Sequence, residues 1–267
     1  MRLYGWIGLA ILVSAEALLF AGDPVIAANM TPVVWTGYIL LVDAVVFRIK
    51  GSSWLTTRRS EFWRLIPISI ISWLIYEFYN HGMQGWHYIG LPENLWVRGF
   101  GYFWAFGTIF PGLFVTADLL LALRWFRRCR GKARPWSPAA LRVLFTFGFV
   151  CLAVPLVYPS GYLWALVWMG TVLFLGPINL AYAPDSLFRD FAEGDYERMA
   201  ALFVGGLICG FLWEFWNFWA TAKWYYTVPI LSDVKVFEMP IVGFLGFPPF
   251  ALECFAMYQT ARVVLKF

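Results

Sequence analysis

Of 267 residues, 61% are hydrophobic and only 13% charged, with 20 Lys and Arg against 16 Asp and Glu for a formal net charge of +4. Soluble domains are about 45–50% apolar and about 25% charged, so this balance excludes a soluble globular fold and predicts an integral membrane protein. With 26 Phe, 16 Trp and 13 Tyr, the chain also carries more rings than the two interfacial belts of a membrane protein require.

Hydrocarbon about 30 Å thick takes roughly 20 apolar residues per helix, and the chain offers about eight such runs. The first, 3–21, contains Glu16 and is followed by Asp23-Pro24. It is too long, and too poor in a small-residue cleavage site, for a signal peptide. The second, 30–48, contains Asp43 and leads into a basic loop. The third, 62–81, carries the segment WLIYEFYNH. A long aromatic loop, 82–98, precedes the fourth span, 99–124, which is interrupted by Pro111 and ends in the basic segment RWFRRCRGKARPW. Spans at 139–158, 162–182, 199–218 and 237–262 follow. The seventh carries FLWEFWNFW, a second aromatic loop covers 219–236, and the eighth contains GFPPF at 246–250.

Cations sort these loops. Arg48, Lys50, Arg58, Arg59 and Arg64, the cluster from Arg124 to Arg142, and Arg189 and Arg198 fall on one side, while the other side holds only Arg98, Lys223 and Lys235. The positive-inside rule then predicts a multi-pass protein of the cytoplasmic (inner) membrane with both termini cytoplasmic. The basic cluster is read as a topology and headgroup signal, so no nucleic-acid partner is expected. Its partners are the lipid bilayer and a membrane lipid or isoprenoid substrate; oligomeric state is not encoded in any motif. Cys129, Cys151, Cys209 and Cys254 contain no CxxC pair and read as reduced thiols. Neither P-loop, GxGxxG, HExxH nor GxSxG is present, and no cofactor is expected.

The third span and loop recur in the seventh at an offset of 137: Glu77 answers Glu214, Phe78 answers Phe215, Asn80 answers Asn217, Tyr88 answers Tyr225, Pro92 answers Pro229, and Phe110-Pro111 answers Phe247-Pro248. The expected fold is therefore all-α: a single polytopic membrane domain, 1–267, of two direct four-helix repeats, 1–130 and 131–267, related by an axis along the membrane normal. Within each copy Glu and Asn are three apart and share a helix face. Glu77 lies about 22 Å above the start of its span at 1.5 Å per residue, in the outer half of the membrane. Intramembrane acids are functional candidates by default, although Glu and Asn also join helices by hydrogen bonds. Glu253 stands where the first copy has Thr116. For Asp43 and Asp118, pairing with Arg48 or Arg124 is the expectation. Glu77 with His81, and His87 with Glu93, offer nitrogen and oxygen ligands, but a chain with two histidines gives a weak metal signal, and no metal is expected.

A desolvated carboxyl is a general acid, and aromatic faces stabilise cations by about 0.5–2 kcal/mol each. Glu77, Glu214, Asn80, Asn217 and Glu253 are the expected catalytic residues, and Trp73, Phe78, Trp104, Trp213, Phe215 and Trp216 the expected walls of an apolar cavity. The loops 82–98 and 219–236 read either as lids over it or as interfacial belts. The function expected is acid-catalysed cyclisation, hydration or isomerisation of an isoprenoid or other lipid. The alternatives are a proton-coupled carrier of an amphiphilic or anionic substrate, and a non-catalytic subunit of a membrane complex.

The doubled [WY]EF in an apolar helix, together with FPPFALECF at 247–255, resembles the integral-membrane terpenoid cyclases and the related carotenoid-type lycopene cyclases and hydratases. That resemblance implies an all-helical, cofactor-free enzyme that protonates a polyene or epoxide with a membrane carboxylate. Glu77 and Glu214 would be the acid and its partner, with Glu253 a further candidate. Where lycopene cyclases place paired acids after proline, Pro248 is followed by Pro249-Phe250.

Overall fold

In the computed structural model, which describes residues 1–267, the chain is 73% helical with almost no sheet. The order is α1 (Leu3–Phe20), α2 (Pro24–Lys50), α3 (Arg59–Met83), β1 (Trp86–Ile89), α4 (Leu95–Gly107), α5 (Ile109–Ala122), α6 (Pro138–Val157), α7 (Trp164–Tyr182), α8 (Leu187–Glu193), α9 (Glu197–Trp219), β2 (Lys223–Tyr226), β3 (Lys235–Val236), β4 (Met239–Pro240) and α10 (Phe247–Leu265). Seven helical segments are long and apolar enough to cross a membrane, with α4 and α5 counted as one, which makes this a multi-pass membrane protein. α3 is 25 residues long and is not among these segments; it carries Arg59, Glu61, Arg64, Glu77 and His81.

Local chemistry sets the helix ends. Asp23 accepts from the Val25 and Ile26 N–H groups and Pro24 supplies the first turn, so α2 begins six residues before the expected position 30. Asn94 caps α4 in the same way, and Ser137 followed by Pro138 caps α6. The left-handed Gly51 (φ 73°) ends α2.

Both repeated prolines begin a helix where a bend within one was expected. Pro111 has no N–H to offer the Gly107 carbonyl, so the fourth expected span breaks at Thr108 and restarts as α5. Ser69 of α3 bridges the break: its hydroxyl donates to the Phe106 carbonyl at 2.5 Å and accepts from the Phe110 N–H at 3.1 Å. Pro248 and Pro249 likewise occupy the first turn of α10. Residues 237–246, expected to be helical, instead run through β4 and a 3₁₀ turn at Ile241–Gly246.

α2, α3, α5, α9 and α10 supply most of the buried core, around Trp35, Leu65, Leu113, Cys209 and Ala251. α1 packs on α2 and α6 on α7, with most of each outer helix exposed. Glycines allow backbones to touch where helices cross: a Cβ on Gly206 of α9 would lie 2.5 Å from the Phe247 carbonyl oxygen of α10. Because that atom is backbone, Gly206→Ala must move a helix. It is expected to cost about 1–3 kcal/mol, read as a lower midpoint of thermal unfolding in detergent, and an unchanged midpoint would show that the crossing yields freely.

At the end of the bundle away from β1 and β2, charges pair in a chain. Arg58 meets Glu61 at 2.7 Å, Arg262 meets Asp185 at 3.0 Å, and Arg198 meets Asp190 at 3.2 Å. The expected pairing of Asp43 with Arg48 does not form, because five residues along a helix turn a side chain roughly 140° away. Asp43 accepts instead from the Tyr4 hydroxyl at 2.8 Å, the Ser53 hydroxyl at 2.7 Å and the Leu55 N–H at 3.2 Å. Asp118 lies in the field of Lys50 and Arg58 rather than of Arg124, which sits beyond the end of α5 in a left-handed turn (φ 58°).

Candidate functional site

An aromatic chamber of about 500 Å³ opens at the strand end of the bundle, within the roughly 300–1,000 Å³ typical of small-molecule sites. Trp73 of α3, Phe106 of α4, Trp164 and Trp168 of α7, Trp213 of α9 and Phe250 of α10 form its walls. The rings touch edge to face and obliquely: Trp73 and Phe250 centroids are 5.8 Å apart, and those of Trp168 and Phe250 are 5.5 Å apart. Such offsets direct ring faces and edges alike at the space between them.

The roof is the two-stranded ribbon of β1 and β2. Its antiparallel register places Trp86 opposite Tyr226, His87 opposite Tyr225, and Tyr88 opposite Trp224. A local twofold through the His87–Tyr225 pair therefore relates Trp86 to Trp224 and Tyr88 to Tyr226. That offset is 138, one more than in the helices, because six residues separate Asn80 from Trp86 and seven separate Asn217 from Trp224. In the ribbon Tyr88 therefore answers Tyr226, not Tyr225 as a gapless match would have it.

Each asparagine anchors its strand to its helix. The Asn80 side chain accepts from the Gly85 and Trp86 N–H groups at 2.8 and 3.1 Å and donates to the Trp86 carbonyl at 2.9 Å. Asn217 accepts from the Trp224 N–H at 3.0 Å and donates to the Trp224 carbonyl at 2.8 Å. The amide has one donor and one acceptor side, which is what an extended backbone residue presents.

Once the strands are anchored, their side chains reach the glutamates. Glu77 Oε1 accepts from Tyr88 Oη at 2.5 Å, Trp73 Nε1 at 2.8 Å and Trp86 Nε1 at 3.1 Å. Glu214 Oε1 accepts from Tyr226 Oη at 2.7 Å and Trp224 Nε1 at 3.3 Å. Burial, with the carboxyl beside each, holds the Tyr88 and Tyr226 phenols well above their usual range, so both remain donors. The two carboxyls share no hydrogen bond, and each belongs to its own strand.

The glutamates differ in what their second oxygen meets. Glu77 is half-buried and stands outside the chamber wall, whereas Glu214 is fully buried and lines it. Glu214 Oε2 has no protein partner. Since Oε1 is occupied by donors, the proton of the neutral acid belongs on Oε2, the oxygen without a partner.

The other expected residues are dispersed. Trp73 and Trp213 line the chamber. Phe78 is 67% exposed on the outside of α3, and Phe215 packs on Phe237. Trp104 donates to the Thr36 hydroxyl at 3.0 Å, and Trp216 to Glu16 at 3.2 Å. Of the loop aromatics, Trp86, Tyr88, Trp224 and Tyr226 line the chamber, while Trp96 and Trp219 are exposed as interfacial residues are. Trp164, Trp168 and Arg98 also line it and carry no motif that would have marked them in the sequence. Glu77, His81, His87 and Glu93 do not gather into a group able to hold a metal ion.

Glu253 is fully buried behind the chamber, not in its wall, with Tyr76 and Thr171 as its polar neighbours. Neither of its oxygens has a hydrogen-bond partner. An unsatisfied buried polar group costs about 1–3 kcal/mol, so Glu253→Leu is expected to raise the thermal midpoint or leave it unchanged. A marked fall would show that the carboxyl is held by its hydroxyl neighbours.

Comparison with protein-family models, curated proteins and solved structures finds no match for this chain.

Proposed function

We propose that this protein is a cofactor-independent intramembrane enzyme that protonates an isoprenoid or other unsaturated lipid and thereby cyclises, hydrates or isomerises it. The observation that carries this reading is Glu214 Oε2, the unpartnered oxygen of a fully buried carboxyl in the wall of an aromatic chamber. In the reaction an alkene π pair takes the Oε2 proton, forming a C–H bond and leaving a carbocation. Ring faces of Trp73, Trp168 and Trp213 stabilise that cation by about 0.5–2 kcal/mol each. Attack by a second alkene closes a ring and moves the cation onto that alkene's far carbon, which then loses a neighbouring proton; attack by water, followed by loss of a proton from the oxonium, adds a hydroxyl; direct loss of a neighbouring proton moves the double bond. In each course the proton finally lost returns to the Glu214 carboxylate and restores the acid. The resemblance of the doubled [WY]EF helices to membrane terpenoid cyclases agrees with this chemistry.

In the same reading α3 is the eighth span and the halves 1–130 and 131–267 are direct repeats, a relation that the local twofold of the ribbon supports. The strand end then faces outward from the cytoplasmic membrane, with the basic end and both termini inside.

The test compares lipid extracts, by mass spectrometry, from cells with and without the protein, supplied with isoprenoids from C15 to C40. A new product of equal mass, or of mass increased by one water, is expected. Uptake without conversion would favour a proton-coupled carrier, and no change in any lipid would remove the enzyme reading.

A further inference from the structure

The strand end of the bundle is poor in positive charge, with Arg98, Lys223 and Lys235 the cations of its loops. Two of these, Arg98 and Lys223, line the chamber. Lys223 is neutralised by Glu238 at 2.5 Å. Arg98, in the first turn of α4, is not: its Nε donates to the Pro92 carbonyl at 2.9 Å, and its two terminal nitrogens make neither a hydrogen bond nor an ion pair with the protein. Its two terminal nitrogens are thus free to take a ligand, and the planar fork of a guanidinium matches a carboxylate or phosphate.

Two buried donors of the chamber lining are also unsatisfied. Thr31 Oγ1 and Trp164 Nε1 have no partner, with Thr31 8% exposed and Trp164 6% exposed. At the roughly 30 Å³ a water molecule occupies in the liquid, taken as the size of one chain carbon, a chamber of about 500 Å³ holds on the order of 15–20 heavy atoms.

We propose that the chamber takes an amphiphile with an anionic head, a phosphate or carboxylate, which Arg98 binds at the mouth while the unsaturated or saturated chain lies among the rings and reaches Glu214. This rests on the lipid-binding part of the function proposed above and adds to it the charge of the ligand and the residue that selects it.

The test is binding, independent of turnover. Purified full-length protein in a neutral detergent is titrated with farnesyl phosphate, farnesol, palmitate and inorganic phosphate, with quenching of tryptophan fluorescence as the signal. A hydrogen-bonded charge predicts that farnesyl phosphate binds at least about tenfold more tightly than farnesol. Arg98→Gln brings the two within about twofold, the loss falling mainly on farnesyl phosphate, while Arg98→Lys retains most of the preference. Inorganic phosphate gives no signal, and palmitate competes with farnesyl phosphate if a carboxylate head suffices.

Equal affinity of wild-type protein for farnesyl phosphate and farnesol overturns the proposal. So does an unchanged preference in Arg98→Gln, or an Arg98→Lys variant that loses as much as Arg98→Gln, since the arginine would then only brace the Pro92 loop. Tight binding of farnesyl phosphate with no conversion of any lipid would leave this inference standing and remove the enzyme reading. Conversion of uncharged lipids with no preference for charge would do the reverse.

Discussion

Glu214→Gln is expected to lower lipid conversion by about 10²–10⁴-fold, the usual contribution of a general acid, with the thermal midpoint close to that of the wild type. The amide keeps the acceptor that Tyr226 and Trp224 use on Oε1, so the ribbon stays docked. What it replaces is the free Oε2, which then presents an N–H₂ that has no acidic proton to give. Glu77→Gln should fall within about tenfold of wild type, because Glu77 stands outside the chamber wall and all its hydrogen bonds go to the strand and to Trp73. Glu214→Asp retains the acid but withdraws it by one methylene, and a misplacement of that size costs on the order of 10²-fold. Conversion is measured by mass spectrometry on paired cultures of equal expression. Equal losses in Glu77→Gln and Glu214→Gln would mean that the chamber does not distinguish the two carboxyls, and the assignment of Glu214 as the acid would fail.

The sequence carried the repeated Glu and Asn because sequence identity at helical spacing survives duplication, and it carried the spans because hydrocarbon thickness dictates their length. It did not carry the difference between Glu77 and Glu214. Helices apolar all round give no periodic signal of which face points inward, so Phe78 and Trp73, five residues apart on one helix, look alike in sequence although one faces outward and the other the chamber. Trp164, Trp168 and Arg98 are not legible in sequence for a related reason. They enter the chamber from α7 and α4, which have no doubled motif, and only the packing of those helices brings them together. The prolines were legible as interruptions but not as helix starts. That role depends on partners elsewhere in the chain, such as Ser69 bridging the break at Thr108.

The asparagines, catalytic candidates by sequence, hold the strands to their helices, and those bonds predict the largest effect on stability. Asn217→Ala removes both side-chain bonds to the Trp224 backbone and leaves an N–H and a carbonyl without partners under the roof of the chamber. At about 1–3 kcal/mol for each buried polar group left unsatisfied, the two groups put the expected cost at about 2–6 kcal/mol. Asn80→Ala, which loses three bonds, should cost at least as much. Asn217→Asp provides the sharper comparison, since its carboxylate still accepts from the Trp224 N–H but turns an acceptor toward the Trp224 carbonyl. It should therefore be no more stable than the alanine variant, although it is the closer match in shape. Because β1 and β2 pair with each other, the double alanine variant should lose less than the sum of the singles, the non-additivity expected of residues in one network. Detachment of the ribbon also withdraws Trp224 and Tyr226 from Glu214, so conversion should fall with stability in Asn217→Ala, whereas Glu214→Gln loses conversion alone. Thermal unfolding in detergent, with limited proteolysis of the segment 82–98 as a second reading, checks both parts. A wild-type midpoint in Asn217→Ala would show that strand pairing alone holds the roof in place.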